Sequence, residues 1–180
     1  HNVTELAAGK GSGVWRATWS RIGDYRGRDA GDPTIDEDAF MRLWMVDTPG
    51  SEVIVGTAPA QRYLRNQDIG RTMKVLCARR PNTDAVDVFS AVIEPYRTTE
   101  FIRTVRPLEL GGGDEYCRGL AVETIHGTDY VISYGGPGVP PEVSFEDRGH
   151  TVSTDADVAV VSFPFEGKAA LLLAGGSYLR

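Results

Sequence analysis

Apolar and polar residues alternate with a period of two along most of the chain, which is the pattern of β-strands. Residues 14–21 place Trp15, Ala17 and Trp19 on one face and polar residues on the other, which predicts a half-buried strand. Further strands are predicted at residues 39–46, 51–57, 72–78, 116–125, 129–134, 142–146, 150–153, 158–163 and 169–174. No segment of helical length shows the helical period, so we expect an all-β fold, an antiparallel two-sheet β-sandwich of roughly ten or more strands.

Residues 86–110 form the segment around which the predicted fold is organised. Phe89, Ala91 and Ile93 alternate with valines, and a strand that is apolar on both faces is typical of one that is covered on both sides. Residues 94–97, Glu-Pro-Tyr-Arg, interrupt it because a proline cannot donate a ladder hydrogen bond. Residues 101–105 read as a second strand. The segment therefore predicts a buried hairpin with a charged, aromatic tip.

Glycine and proline separate the predicted strands and are not gathered into a low-complexity block. Residues 47–50, Asp-Thr-Pro-Gly, predict a tight turn from which residues 51–57 return as the next strand. Residues 22–38 and 58–70 are polar and predict loops. No boundary divides the sequence, so we expect one domain over residues 1–180, with residues 1–13 as a flexible N-terminal segment.

The formal net charge of −6 argues against a nucleic-acid partner. The longest apolar runs are far shorter than the ~20 residues that span a bilayer, so no membrane span is expected. Sixteen of the 19 basic residues are Arg, which either reflects a compositional preference or provides forked donors for carboxylate and sulfate groups. Cys77 and Cys117 either form one disulfide or remain two buried thiols.

No sequence motif assigns a catalytic centre. His126 lies in a predicted turn and His150 begins a short strand, and no Gly-x-Ser-x-Gly elbow accompanies them. A small hydrolase would need one of these histidines against a carboxylate in a deep pocket. The acidic pairs in the loops match a Ca²⁺ site only loosely, because such sites need six to eight oxygens from a shaped loop.

Several segments together resemble the β-rich region that follows the helical toroid in heparinase II/III-like polysaccharide lyases. The matching stretches are residues 42–62, 88–97, 101–105, 127–133 and 171–179, in that order along the chain. The resemblance implies a secreted or periplasmic protein in which this chain is an accessory C-terminal β-sandwich. The full-length protein would cleave an acidic polysaccharide by β-elimination from a uronic acid. Because the toroid is absent, we do not expect the chain to be active alone.

The resemblance also implies particular site residues. Arg62, Arg65, Tyr96 and Arg97 are the expected substrate-binding residues, since Arg can meet a sugar carboxylate or sulfate bidentately. His1, followed by Asn2, matches an element whose histidine binds zinc in some family members. It is therefore the one candidate ligand for a divalent metal, or alternatively the remnant of a purification tag. No catalytic residue is expected within the chain.

Two alternatives remain from the sequence. The Glu94–Arg97 tip either contacts substrate or pairs locally and only orders the turn. The whole chain is either the β-domain that packs on a catalytic toroid or a free-standing carbohydrate-binding or structural module. A large exposed apolar patch would favour the first, because a docking face must be covered in the intact enzyme. A shallow aromatic groove with Arg nearby would favour the second.

Overall fold

A computed structural model describes residues 4–10, 13–20, 40–46, 50–59, 72–80 and 88–180. These residues form thirteen β-strands and no helix, so the expected all-β, antiparallel class is confirmed. Within this described part of the chain, no helix is long and apolar enough to cross a membrane. The described residues fall into two compact units. Unit 1 contains the described residues within 1–13 and 47–87, and unit 2 contains those within 14–46 and 88–180.

Unit 1 contains one antiparallel sheet of three strands in the order β1–β4–β5. The strands are β1 (Thr4–Lys10), β4 (Glu52–Pro59) and β5 (Thr72–Arg79). β1 lies within residues 1–13, the segment that we expected to be flexible, and the flexibility of that segment stays a prediction. Its Ala, Gly and Lys residues have low strand propensity, but pairing with β4 supplies hydrogen-bond partners for its backbone.

Unit 2 contains three antiparallel sheets, which we call the central sheet, the small sheet and the hairpin. The central sheet has the strand order β13–β12–β9–β8–β7, the small sheet β2–β3–β6, and the hairpin β10–β11. The strands are β2 (Val14–Ser20), β3 (Phe40–Val46), β6 (Ser90–Tyr96), β7 (Ile102–Pro107), β8 (Cys117–Thr124), β9 (Gly127–Tyr134), β10 (Val143–Asp147), β11 (His150–Thr154), β12 (Val158–Pro164) and β13 (Ala170–Ala174).

The central sheet is covered on both faces at β8, the strand that contributes to two cores. On one face the hairpin contributes Val143, Phe145 and Val152 to a core that includes Tyr130 and Val161 of the central sheet. On the other face a second core joins the small sheet to the central sheet through the buried side chains Trp44, Ile102, Val105 and Val122. β8 is therefore nearly continuously buried along its length.

The predicted buried hairpin of residues 86–110 is wrong. β6 belongs to the small sheet and β7 to the central sheet, so the two strands are not hydrogen-bonded neighbours. β6 also continues through Glu94 and Pro95 to Tyr96, because Pro95 lies on an edge strand whose outer side has no ladder partner to supply. Phe89, Ala91 and Ile93 lie on an exposed face, with Ile93 63% exposed. The strand covered on both sides is β8.

The predicted return of residues 51–57 alongside β3 is also wrong, since β3 pairs with β2 and β6, and β4 pairs with β1 and β5. The prediction of a half-buried strand at residues 14–21 is confirmed in β2. Trp15, Ala17 and Trp19 are partly buried, whereas Arg16 and Thr18 are exposed. Residues 21–39 and 60–71, which contain most of the predicted loops, lie outside the described residues.

Candidate functional site

The segment that leads from β6 to β7 is organised by Glu94, a buried carboxylate that is 3% exposed. Its Oε1 accepts hydrogen bonds from the backbone N–H groups of Phe101, at 2.6 Å, and Ile102, at 2.7 Å. Its Oε2 accepts a long hydrogen bond of 3.4 Å from Trp44 Nε1. Pro95 has no N–H to donate at this corner, and the Glu94 carboxylate satisfies the two backbone donors where the chain enters β7.

Arg42 in the middle of β3 supplies the countercharge. It is 4% exposed, and its Nη1 lies 3.6 Å from Glu94 Oε2. Its Nε donates to Thr18 Oγ1 at 3.3 Å, and its Nη2 donates to Tyr96 Oη at 3.0 Å and to Glu100 Oε1. The register of the small sheet places Arg42 directly opposite both Thr18 and Glu94, which is why these side chains meet.

Electrostatics hold Arg42 and Glu100 in their charged forms. The hydrogen bond from Arg42 lowers the pKa of the Glu100 carboxyl, and Arg16 adds a smaller electrostatic contribution in the same direction. The hydrogen bond to Glu100 likewise raises the pKa of Arg42. Glu100 is 54% exposed, so this second carboxylate connects the buried pair to the surface. The cluster is a salt-bridge network that begins in the core and ends at solvent.

Tyr96 is the predicted substrate-binding residue that the structure places in this cluster. Its ring stacks on Phe40, with 5.2 Å between centroids and 14° between planes. The Arg42 guanidinium lies over the same ring, 4.9 Å from its centroid. Arg97 follows Tyr96 directly and is exposed. The corner therefore presents a pair of stacked rings beside an exposed arginine and an exposed carboxylate.

The remaining predicted site residues cannot be placed. Arg62, Arg65 and His1 all lie outside the described residues, so substrate binding by the two arginines and metal binding by His1 stay predictions. Within the residues that the structure describes, no group of three or more His, Cys, Asp or Glu side chains could hold a metal ion.

Sequence reasoning missed a second polar cluster, where the end of the hairpin meets the central sheet. Tyr130, fully buried, donates from its hydroxyl to Asp147 Oδ2 at 2.7 Å, and Arg106 donates to the same oxygen. Arg106 Nε also lies 3.3 Å from Glu123 Oε1, which accepts a further hydrogen bond from Arg148. The alternation of β7 and β8 was the available signal, since it places Arg106 and Glu123 on one face.

The pKa values of Tyr130 and Asp147 in this second cluster are shifted from their ordinary values. Burial first, and then the hydrogen bond to Asp147, raise the pKa of Tyr130 to about 12. The hydrogen bond from Arg106 lowers the pKa of Asp147. The two arginines and two carboxylates balance in charge, and each cationic group has an anionic partner within the cluster. The arrangement fastens the hairpin to the central sheet and has no cationic excess with which to attract an anion.

Neither histidine forms the arrangement that a hydrolase needs. The His150 ring stacks on Phe163, with 3.8 Å between centroids and 17° between planes. The His126 ring packs at an angle against Phe101, 5.6 Å away. A groove of 230 Å³ in unit 2 contains neither histidine. It is lined by Leu108, Leu110, Leu120, Asp114, Cys117 and Arg118 among others.

Both cysteines are free thiols, so the alternative of one disulfide is wrong, and the alternative of two buried thiols holds for Cys117 and is wrong for Cys77. Cys77 is exposed in unit 1 and Cys117 is buried in unit 2. Cys117 Sγ donates to Asp114 Oδ1 at 3.5 Å, and burial raises the pKa of its thiol. A buried thiol with a raised pKa is a poor nucleophile at neutral pH.

No protein-family model matches the chain, and no match was found among curated proteins or among solved structures. The resemblance to heparinase II/III-like lyases therefore rests on the sequence segments described above.

Proposed function

We propose that this chain is the accessory β-sandwich domain of a secreted or periplasmic heparinase II/III-like polysaccharide lyase. In this proposal the central sheet and the small sheet, which share the second core, are the two layers of the sandwich. The domain packs on a catalytic helical toroid that carries out β-elimination on an acidic polysaccharide. The chain itself supplies structure and substrate contacts and no catalytic residue.

The observation that carries the proposal is an exposed apolar stripe, formed by Phe89 directly before β6 and by Ala91 and Ile93 within β6. Phe89 is 41% exposed and Ile93 is 63% exposed, and Ala91 lies exposed between them. Three exposed apolar residues in alternation are unusual on a strand that faces water, where polar residues normally occupy the outer face. The stripe is the kind of surface that a neighbouring domain would cover.

The position of the stripe adds a functional argument. The same strand ends at Tyr96, next to Arg97, and the buried Glu94–Arg42 pair fixes the backbone at this corner. If the stripe docks on the toroid, Tyr96 and Arg97 lie at the end of the strand that carries the stripe, and we propose that a cleft between the two domains forms beyond that end. An aromatic ring and a guanidinium suit sugar stacking and carboxylate or sulfate binding respectively.

The stacked rings of Phe40 and Tyr96 favour a second candidate, a free-standing carbohydrate-binding module. Such a module would bind oligosaccharide at the corner without a docked toroid. The two proposals differ in what is needed for binding. A free-standing module binds sugar without another domain, whereas the accessory domain requires the toroid to complete its cleft.

An assay for unsaturated uronate on a panel of uronic-acid polymers tests the proposal. The 180-residue chain is compared with the full-length gene product and with the full-length variant Ile93→Lys. We expect no cleavage by the chain alone, cleavage by the full-length protein, and loss of cleavage with Ile93→Lys because a charge enters the docking face. Cleavage by the isolated chain would contradict the accessory role, and absence of cleavage by the full-length protein would contradict the lyase assignment.

Calorimetric titration of the isolated chain with sulfated and unsulfated uronate oligosaccharides tests the second candidate. Binding that is lost in Tyr96→Ala and Arg97→Ala, but kept in the matched exposed-site variant Arg103→Ala, would support a free-standing module. Absence of binding to any of these oligosaccharides would contradict it.

A further inference from the structure

β13 is an exposed and wholly apolar strand at the edge of the central sheet. Its sequence is Ala-Leu-Leu-Leu-Ala, and all five residues are exposed, with Leu171, Leu172 and Leu173 at 63%, 56% and 39%. It pairs with β12 along one side, in a register without a bulge. Natural edge strands are usually protected by charges, proline or bulges, because an open edge can pair with another chain. β13 has none of these protections.

The leucines of β13 are apolar on both faces of the sheet. Leu171 and Leu173 are in register with Val161 and Ala159 of β12, which belong to the buried core. Leu172 points to the opposite face, in register with Val160. A strand that is apolar on both faces is typical of the interior of a sheet, where a neighbour lies on each side and layers lie above and below.

We propose that β13 pairs antiparallel with β13 of a second copy of this chain, with Leu172 on the two-fold axis. The sequence of the strand is a palindrome about Leu172, so the pairing is self-complementary. In this register Leu171 lies opposite the second copy's Leu173, and Leu172 lies opposite its own equivalent. Each residue of β13 then lies opposite a residue of the same type in the second copy.

The two-fold axis is perpendicular to the sheet and therefore keeps the faces of both copies aligned. Leu171 and Leu173 of the two copies form one group of four leucines on the core side, adjoining the core of each copy. The two Leu172 side chains meet on the other face. The central sheet becomes a continuous sheet of ten strands, and the backbone donors and acceptors along both edges are paired.

Charges at the two ends of β13 complement each other in the same register. The exposed Lys168 precedes the strand and lies opposite the second copy's Gly176. Gly176 follows Gly175, which lies against the Asp157 carboxylate, and precedes Ser177, which is hydrogen-bonded to Asp155. Each end of the shared strand pair thus brings a lysine of one copy towards two carboxylates of the other.

The oligomeric state in solution tests this pairing directly. Sedimentation velocity over a range of micromolar concentrations should give a dimer for the unmodified chain. Leu172→Lys should weaken the dimer by about tenfold or more, because two ammonium groups would lie directly opposite each other. Val139→Lys adds the same charge at a site that is 88% exposed and lies outside β13, and it should leave the dimer unchanged. A monomeric unmodified chain, or equal dimerisation of all three proteins, would overturn the proposal.

Disulfide formation tests the register and is independent of the effect of added charge. In a Cys77→Ser background, Leu172→Cys places two thiols directly opposite each other across the axis and should cross-link under mild oxidation. Leu171→Cys is an equally exposed site on the same strand, but the two introduced thiols lie diagonally, about 7–8 Å apart, beyond the reach of a disulfide. Equal cross-linking at both positions, or none at Leu172→Cys, would overturn the two-fold pairing. Circular dichroism confirms that each variant is folded.

Discussion

Glu94 and Arg42 are the buried ion pair on which the corner between β6 and β7 depends. Glu94 accepts two backbone hydrogen bonds and faces a guanidinium, so its charge is compensated and its oxygens are satisfied. Removing one member of such a pair leaves the other buried and unpaired, which costs far more than the pair contributes in place. Of the substitutions at this corner, those of Glu94 and Arg42 should therefore lower the free energy of unfolding most.

Glu94→Gln should lower the free energy of unfolding by about 3 kcal/mol, because Arg42 then loses its buried partner. The amide oxygen of Gln can still accept hydrogen bonds from the backbone at the start of β7. Most of the loss of stability therefore comes from removing the negative charge of Glu94. Glu100→Gln is the matched control, and it should cost less than about 1 kcal/mol because Glu100 is exposed. Urea denaturation measures both.

A double-mutant cycle isolates the interaction between the two residues. Combining Glu94→Gln with Arg42→Met should cost less than the sum of the single changes by at least about 1 kcal/mol. Strict additivity would show that the two side chains do not interact energetically, despite the 3.6 Å between Arg42 Nη1 and Glu94 Oε2.

Tyr130 makes stability depend on pH in the alkaline range. Its pKa is raised to about 12 in the folded protein, whereas an unfolded tyrosine releases its proton near its ordinary value of 10. Between these values the unfolded chain binds fewer protons, so the stabilising contribution is complete below pH 10 and is lost as pH rises towards 12. The predicted loss is on the order of 2 kcal/mol.

Tyr130→Phe tests this dependence, because phenylalanine has no proton to release. The variant should be less stable at neutral pH, where Asp147 loses a donor, and its unfolding free energy should fall less steeply above pH 10. Urea denaturation at several pH values between about 9 and 11 gives the slope of the unfolding free energy against pH for each protein. Equal slopes for the two proteins would contradict the prediction.

At the scale of the element, the positions of most strands were predictable, β1 excepted, whereas the partners of β4, β6 and β7 were not. β8 and β12 were predicted to within a residue or two because alternation is a local property of the sequence. β6 and β7 were expected to pair because they are consecutive, and consecutive strands often do. The Glu94 carboxylate instead accepts hydrogen bonds from the backbone N–H groups of Phe101 and Ile102, where the chain passes from the small sheet to the central sheet.

The candidate site could likewise be predicted only in part: residues marked by a local pattern could be identified, and residues whose role depends on strand pairing could not. Tyr96 and Arg97 could be identified at a corner because proline and charge interrupt an apolar strand. Arg42 could not be identified, since its role depends on β3 pairing with both β2 and β6 and on a register that brings Thr18 and Glu94 to it. Long-range register is not contained in the local pattern from which the strands were predicted.

The turn between β8 and β9 gives a prediction for an element. A Cβ at Gly127 would lie 2.3 Å from the carbonyl oxygen of Phe163 and 2.6 Å from the Cα of Pro164. Both are backbone atoms of β12, which cannot move without disturbing its pairing with β9. Gly127→Ala should therefore destabilise the protein by about 2–3 kcal/mol.

Gly138→Ala is the control for this substitution. Gly138 also has a positive φ, of 92°, but no atom lies within 4 Å of the added Cβ. Its replacement should cost only the backbone strain of about 1–2 kcal/mol. Thermal unfolding of the two variants measures the difference. A larger loss at Gly138 than at Gly127 would contradict the steric argument.

At the scale of the whole molecule, the described residues of unit 1 come from two separated segments, within residues 1–13 and 47–87, and those of unit 2 from the remainder. Alternation alone could not predict this division, because each strand of either unit shows the same local pattern. The sequence nonetheless provides one reporter in each unit, Cys77 in unit 1 and Cys117 in unit 2.

The rate of thiol labelling should therefore report on the exposure of one cysteine in each unit separately. A chromogenic disulfide reagent should modify Cys77 rapidly in the native protein, because this thiol is exposed. Cys117 should react at least about a hundredfold more slowly, since it is 8% exposed and its raised pKa keeps it protonated at neutral pH. Its rate should rise with urea as unit 2 opens. Cys77→Ser should remove the fast phase and Cys117→Ser the slow one. Equal rates for both thiols in native buffer would contradict the burial of Cys117 in the core of unit 2.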